Sequence, residues 1–442
     1  MQDRCKDDFV VSVLVKMVKS LLLDGFKDGA YLELNPKKGA IMITDKNSLA
    51  DVEFRITWKS DTATHVDAYA AQRVNFWRDC FPKDIYDKLL HKSVGEQVNH
   101  AIQAGEIVPA FKPSNEHTIQ FSQFDRKMDP TRIIEPRAGR FYPKGMLTGM
   151  ANVFRVNVEP FRCVDVSDAT LRVSFNHPLA AFPVDLGATI LNISDKPVDR
   201  GGTCYDWLEV AATGPGMQIR VNGKPTDFFS DNPFDRDDNQ PDPRFYEAPR
   251  FVNHLDERAI SVITGLYAEQ LKPGMRVLDL MSSWTSHLPD ISFSEVVGLG
   301  MNTEELQANN RLSRFMVQDL NQTSILPFET ASLDAVICTA SVEYLIKPFE
   351  VFAEISRILK PGGRVIMTFS NRWFPPKAIR IWKELHEFER MGLVLEYLLQ
   401  SGAFENLHTF SMRGLPRPET DKYYGQQLYS DPVYAVWGEK KN

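Results

Sequence analysis

The chain has 442 residues, 43% hydrophobic and 25% charged, with a net charge of −7. That length predicts two or three domains, and the composition excludes collagen-like, mucin-like and wholly disordered chains. The acidic balance, with a pI near 5.8, argues against a duplex nucleic-acid binder, which needs a phosphate-neutralising patch.

Five cysteines (Cys5, Cys80, Cys163, Cys204 and Cys338) are widely spaced, odd in number and form no CxxC. This predicts reduced thiols in a cytoplasmic setting, with no disulfide framework. The histidines form no HExxH, HxH or His-rich tract, so no metal site is expected. Residues 9–26 are the most apolar early stretch, but Lys16, Lys19 and Asp24 interrupt them and Asp3, Asp7 and Asp8 precede them. Neither a membrane span nor a signal peptide is expected.

In chain order, residues 1–49 stay unassigned. Residues 50–195 hold short runs of alternating apolar and polar residues, as at 52–58, 119–122, 154–158 and 171–175. They predict a mainly antiparallel β region with one or two helices. Residues 196–250 are rich in Pro and Gly and crowd together Asp227, Asp231, Asp235, Asp237, Asp238 and Asp242. They read as an exposed connector, since no EF-hand spacing is present.

From 251 to 442 the pattern alternates helix and strand. A helix is predicted over 256–271, with Ile260, Ile263 and Tyr267 on one face and Pro273-Gly274 ending it. Short apolar runs at 276–280, 295–299, 315–319, 333–339 and 364–369 read as buried parallel strands. A late hairpin at the sheet edge is expected from 407–411 and 433–437. The result is an α/β, doubly wound parallel sheet, whose ligands sit beyond the carboxyl ends of the strands.

Five motifs fall in order along this stretch: Val277-Leu278-Asp279, Val296-Val297-Gly298, Gln318-Asp319-Leu320 with Leu326-Pro327-Phe328, Leu333-Asp334-Ala335-Val336, and Leu359-Lys360-Pro361-Gly362-Gly363. Together they resemble the class I S-adenosylmethionine-dependent methyltransferases. The resemblance implies a Rossmann-like, mostly parallel seven-stranded sheet and S-adenosyl-L-methionine as cofactor. It maps cofactor contacts onto Asp279, Met281, Ser283, Gly300, Asn302, Asp319, Leu320 and Thr339. Two departures stand out. The family's first loop is glycine-rich, but those positions fall on Met281, Ser283 and Thr285. The carboxylate expected to clamp the ribose hydroxyls falls on Gly300, with Asn302 or Glu304 as substitutes. Asp279 and Asp319 also have a plainer reading as turn and cap residues. Substrate-side candidates at the strand ends are His287, Tyr344, Asn371, Arg372 and Trp373, beside Glu343. Trp284, Trp373 and Phe374 are either substrate walls or core. No catalytic residue is assigned.

A second resemblance covers 50–195. It rests on residues 89–96 followed by Val108-Pro109-Ala110-Phe111, on Asn176-His177-Pro178-Leu179-Ala180, on residues 189–193 and on residues 140–144. These are similar to FKBP-type peptidyl-prolyl isomerases of the SlyD subgroup. The resemblance implies an α+β module that binds a protein or peptide partner, with Phe111, Tyr69 and Phe76 as pocket candidates. Phe111 stands where that family has a tyrosine. Two further functions remain open: a catalytically degenerate binding protein, and an isomerase or chaperone with an inert methyltransferase fold.

Overall fold

The computed structural model describes residues 42–194 and 201–442. Readings on residues 9–26, on Cys5 and on the start of the connector lie outside the described residues. The N-terminal elements are β1 (Leu49–Lys59), β2 (Thr64–Asn75), α1 (Lys83–Leu89), β3 (Gln97–Ile102), β4 (Glu116–Gln120), β5 (Phe141–Pro143), β6 (Pro160–Val166), β7 (Thr170–Ser174) and β8 (Val184–Ser194). Then come α2 (Trp207–Ala212), α3 (Asp242–Phe245), α4 (Glu257–Gln270), β9 (Arg276–Ser282), β10 (Glu295–Gly300), α5 (Thr303–Ala308), β11 (Arg314–Val317) and β12 (Leu333–Thr339). The chain closes with α6 (Pro348–Ile358), β13 (Leu359–Phe369), α7 (Arg380–Glu384), α8 (Glu387–Ser401), β14 (Phe404–Arg413) and β15 (Val433–Lys440).

In the C-terminal half the strand order is β11-β10-β9-β12-β13-β15-β14. The first five strands pair in parallel, and β15 runs antiparallel to both neighbours. Val277, Leu278, Leu280, Val336, Ile337, Val365 and Ile366 are fully buried, as befits strands covered on both faces. Helix α4 starts where the Asp256 carboxylate accepts the Ala259 N–H at 2.9 Å, and it buries Ile263, Leu266 and Tyr267. Helix α6 buries Phe352 and Ile355 and runs straight into β13. Pairing of β13 with β12 begins at Leu359, breaks through 360–363 and resumes at Arg364.

The structure departs from the expected pair of modules. The late hairpin is not an edge, because β14 pairs in parallel with β2. The sheet continues through β2-β1-β8-β3 and totals eleven strands. An exposed β14 would present a row of unpaired amides and carbonyls; β2 covers it. Val66 and Ala68 of β2 share one apolar cluster with Phe410, Met412, Trp437 and helix α4. Buried polar pairs cross the same seam. The His65 imidazole lies 2.7 Å from the Thr409 hydroxyl, and Ser411 donates to Asp67 at 2.8 Å. Residues 50–194 do form a mostly antiparallel β region, but its strands are shared between this sheet and a second one.

That second sheet, β4-β7-β6-β5, has its own core around Phe124, Tyr142, Phe161 and Leu171. The stretch 176–180 links the two sheets: the Asn176 amide bonds both N and O of Lys112, at 2.9 and 3.0 Å, and Leu179 enters the core beneath β1 and β8. The three isomerase-pocket candidates are split by burial. Phe76 is a core residue stacked on Phe81. Tyr69 leans on Trp207. Phe111 is 45% exposed, where it cannot wall a dry hollow.

The described part of the connector is no solvated linker. Trp207, Leu208, Phe228 and Asp242 are buried in it. Four of its aspartates are ion-paired across the fold: Asp231 with Arg137, Asp237 with Lys383, and Asp238 and Asp242 with Lys377. No helix among the described residues is long and apolar enough to cross a membrane.

Replacing Thr409 with Val keeps the shape but leaves one nitrogen of the buried His65 ring unpaired. Urea unfolding of Thr409→Val is expected to show a loss of about 1–3 kcal/mol; an unchanged midpoint would mean the seam does not depend on this pair.

Candidate active site

The loops after β9, β10, β11, β12 and β13 meet in a cavity of about 330 Å³. It lies at the switch point of the parallel sheet, where β9 neighbours both β10 and β12. The former connector supplies one wall with Asp242, Tyr246 and Arg250.

Asp279 sits on β9, buried at the cavity floor. Its Oδ2 accepts hydroxyl hydrogen bonds from Ser282 and Ser286. Among the described residues its Oδ1 has no hydrogen-bond partner. Burial pushes the carboxyl up to about 6, against the two serine hydrogen bonds. Asn309 fixes the loop by donating to the Ser283 carbonyl and to Ser286 Oγ, both at 2.9 Å. Met281 has φ +59°. The loop therefore keeps a left-handed backbone at the first expected glycine position, at a cost of roughly 1–2 kcal/mol for a side-chain-bearing residue. Ala340, just beyond β12, is left-handed too, at φ +48°.

Gly300 ends β10, and its departure from the family pattern has a steric cause. Pairing of β10 with β9 slips there, from Leu299–Leu280 to Gly300–Ser282. A Cβ on residue 300 would stand 2.2 Å from the Ser282 carbonyl oxygen, so no carboxylate-bearing residue fits. Neither proposed substitute is free on the wall. Asn302 caps α5 by accepting the Glu305 N–H at 3.0 Å, and its amide donates to the carbonyls of Tyr246 and Glu247. Glu304 is exposed to solvent. Glu305, which the sequence reading passed over, lines the cavity instead. Its carboxylate accepts from Ser283 Oγ and, at 2.7 Å, from the Arg250 N–H. Asn302 followed three residues later by Glu305 is a capping-box signature, and that signal could have found it.

Asp319 follows β11. Its Oδ1 accepts the Asn321 N–H at 2.9 Å in the turn that follows, which leaves Oδ2 available. Leu320 is buried beside it. Thr339 lies 2.6 Å from the Tyr267 hydroxyl. The Tyr344 hydroxyl accepts the Phe374 N–H at 2.8 Å, and burial pushes its own ionisation up. Arg372 is committed to Asp431 at 3.0 Å and lies over the Tyr423 ring. Trp373 stacks under Arg390, 4.3 Å from its guanidinium carbon.

His287 reaches the wall, and burial pushes its imidazole down to about 4, so it is neutral at pH 7. A second imidazole, His254, packs against Phe374 and is also pushed down by burial. Nothing in the sequence pattern marked His254, Tyr246 or Arg250, because the fold brings them from outside the strand-end loops. Asn371 is exposed and stands off the wall. Glu343 is 1% exposed and also off the wall, with Oε2 unpaired among the described residues. Among the described residues no His, Cys, Asp or Glu group of three or more is placed to hold a metal ion.

A family model described as a methyltransferase domain matches residues 281–367. Over 116 residues the chain is 22% identical to a malonyl-[acyl-carrier protein] O-methyltransferase of Marinomonas sp. (strain MWYL1), covering 26% of this chain and 41% of that protein. The chain thus spans less than half the length of this curated relative. Among solved structures, a chain of the complex between the Haloferax volcanii Trm112 methyltransferase activator and the putative methyltransferase aligns at 17% identity. It covers 42% of this chain and 93% of that one, with a TM-score of 0.30. A putative methyltransferase from Bacillus halodurans aligns at 14% identity, over 42% of this chain and 100% of its own, also with a TM-score of 0.30.

Two substitutions test the local physics. Gly300→Ala drives a methyl group into the Ser282 carbonyl and is expected to cost about 1–3 kcal/mol in denaturant unfolding; a neutral result would show that the loop shifts freely. Glu343 behaves differently. Burial raises its carboxyl from the ordinary 4.5 to about 8. A raised carboxyl contributes stability below 4.5 that is lost as the pH rises through about 8. Glu343→Gln is therefore expected to match the parent near pH 5 and exceed it by on the order of 2–4 kcal/mol near pH 9. Parallel stability curves at both pH values would refute this.

Proposed function

We propose that this chain, whose C-terminal half carries a class I S-adenosylmethionine-dependent methyltransferase domain, binds S-adenosyl-L-methionine in the switch-point cavity and transfers its methyl group to an acceptor entering past Trp373, Phe374 and Arg250. The observation that carries the reading is the meeting of Asp279, Asp319 and the Thr339–Ala340 turn around one cavity at the carboxyl ends of the parallel strands. The free oxygens of Asp279 and Asp319 suit a cationic amine and an amino group, and Met281 and Leu320 offer apolar contact to a flat ring.

The cofactor supplies an electrophilic methyl group on a sulfonium centre. The protein's part is to hold the acceptor in line and exclude water. Tyr246, Tyr344, Phe374 and His254 make an aromatic wall that does the second. His254 and His287, both neutral, are the imidazole bases on the wall for an acceptor that must lose a proton. A neutral amine or a thiolate needs no such help.

A second reading, a binding protein that has lost catalysis, is favoured by Gly300. Without a carboxylate there, one charge-assisted hydrogen bond is missing, worth about 1.5–3 kcal/mol. Calorimetric titration with S-adenosylmethionine and S-adenosylhomocysteine separates the two readings. Binding is expected, and Asp319→Ala is expected to weaken it at least about tenfold. No heat up to millimolar ligand would leave only the binding-protein reading; binding unaffected by Asp319→Ala would place the nucleoside elsewhere.

A further inference from the structure

Two of the cysteines read above as reduced thiols outside any disulfide framework are neighbours. Cys80, in the turn after β2, and Cys204, at the start of the strap that leads to the cavity, have their sulfurs 3.6 Å apart. They are 124 residues apart in the chain, and both are exposed. Cys163 and Cys338 are buried.

The backbone on either side is already fixed. The Cys80 N–H donates to the Tyr205 carbonyl at 2.8 Å, and Cys80 forms an isolated parallel bridge with Asp206. Asp79 clamps the same junction: its Oδ2 accepts the Trp207 indole N–H at 2.7 Å, and its Oδ1 accepts the Tyr205 N–H at 3.4 Å. Trp207 is buried, and Tyr205 stacks on it. The Cys204 thiol donates to the Arg78 carbonyl at 3.1 Å. The junction is thus held by contacts that do not involve a sulfur–sulfur bond. A disulfide of about 2.05 Å would close that 3.6 Å separation of the sulfurs.

We propose that Cys80 and Cys204 form a reversible dithiol–disulfide pair that locks the start of the 201–250 strap to the turn after β2. With a small-molecule disulfide as oxidant, one cysteine thiolate attacks a sulfur of that disulfide and expels one small thiolate. The second cysteine thiolate then attacks the protein sulfur of the mixed disulfide and expels the other. Two protein thiols become one disulfide, and the oxidant is reduced to two thiols. Exposure admits the oxidant to this pair, while burial shields Cys163 and Cys338 from it. The bond closes a long covalent loop and adds a tether at the near end of a strap whose far end, through Asp242, is fixed by ion pairs. A tether across so long a loop acts mainly by constraining the unfolded chain.

The test uses the full chain, reduced and then treated under native conditions with glutathione disulfide. Free thiols are blocked with N-ethylmaleimide, and peptides are mapped by mass spectrometry without reduction. The expected result is a linked Cys80–Cys204 peptide, two hydrogens lighter than the separate peptides, with Cys163 and Cys338 unmodified. The Cys5→Ser variant should form the same link. Cys80→Ser and Cys204→Ser should each abolish it and accumulate glutathione on the remaining cysteine. The bridged protein should melt about 2–4 °C higher than its reduced form, a difference absent in Cys80→Ser. Blocked thiols or glutathione adducts at both positions in the unsubstituted chain, or a link from either cysteine to Cys5, would overturn the proposal.

Discussion

Asp242 holds the strap over the strand ends, and the cavity exists because that attachment holds. Its carboxylate takes two hydrogen bonds from the Arg236 guanidinium, at 2.8 and 2.9 Å, one from Asn321 at 2.8 Å, and an ion pair from Lys377 at 3.1 Å. Lys377 is 0% exposed; it also reaches Asp238 and the Gln240 carbonyl. Charges this deep are tolerable only when every partner is present, because desolvation costs several kcal/mol per ion. Burial alone would raise the Asp242 carboxyl, yet the hydrogen bonds from Arg236 and Asn321 outweigh it and hold the group below its ordinary value. Asp242 is therefore charged at neutral pH. Asn321 extends the tie by donating to the Tyr344 carbonyl and accepting the Ile346 N–H. One carboxylate so joins the strap to the loops after β11, β12 and β13.

The same attachment sets what the cavity is made of. Beyond Asp242 the strap lays Phe245, Tyr246 and Arg250 against Phe374, with the guanidinium of Arg250 over the rings of Phe245, Tyr246 and Phe374. The Arg250 N–H is held by Glu305, which also holds Ser283. The strap, helix α5 and the loop after β9 are thus linked through a single side chain. At the end of the second parallel strand Gly300 is pressed on β9, where the pairing slips from Leu299–Leu280 to Gly300–Ser282. Glu305, on the helix that follows, puts a carboxylate on the cavity wall. Just past the slip that brings Ser282 opposite Gly300, Ser283 donates to Glu305.

The legible part of this structure was the part written in local pattern. Short continuous apolar runs such as 333–339 read as strands covered on both faces, and Phe352 and Ile355 repeat at helical spacing. Spacing between motifs then orders the sheet, and loops at strand ends locate the site. Asp279, Asp319 and Thr339 meet because the topology makes them meet. What stayed hidden depends on partners distant in sequence. The aspartates of 227–242 look solvated in a window of residues, since Arg137, Lys377 and Lys383 lie about 100 residues or more away along the chain. The β2–β14 pairing joins two strands whose own alternation is equally consistent with edges. His65 and Asp67 look like ordinary polar strand residues until Thr409 and Ser411 arrive opposite them. The isomerase resemblance rested on short matches around turns, which many β folds share, and turns carry little information about which strands pair.

The seam has a consequence for how the halves behave. A chain cut near residue 250 would leave β14 as an open edge with Phe410 and Met412 uncovered, and would strip β2 of the groups that pair its buried polar side chains. In the intact protein the His65 imidazole is pushed down to about 3 by burial, so it stays neutral and its hydrogen bonds to Thr409 and Ser60 are made by an uncharged ring. A His whose folded value lies below its ordinary 6.5 favours the fold above that value, and this contribution fades as the pH falls toward about 3. Acid therefore loads the seam itself, because protonation puts a charge between two strands that belong to different halves of the chain. The N-terminal β region and the parallel sheet of the C-terminal half are coupled at a fully buried polar contact, and neither half has a complete surface without the other.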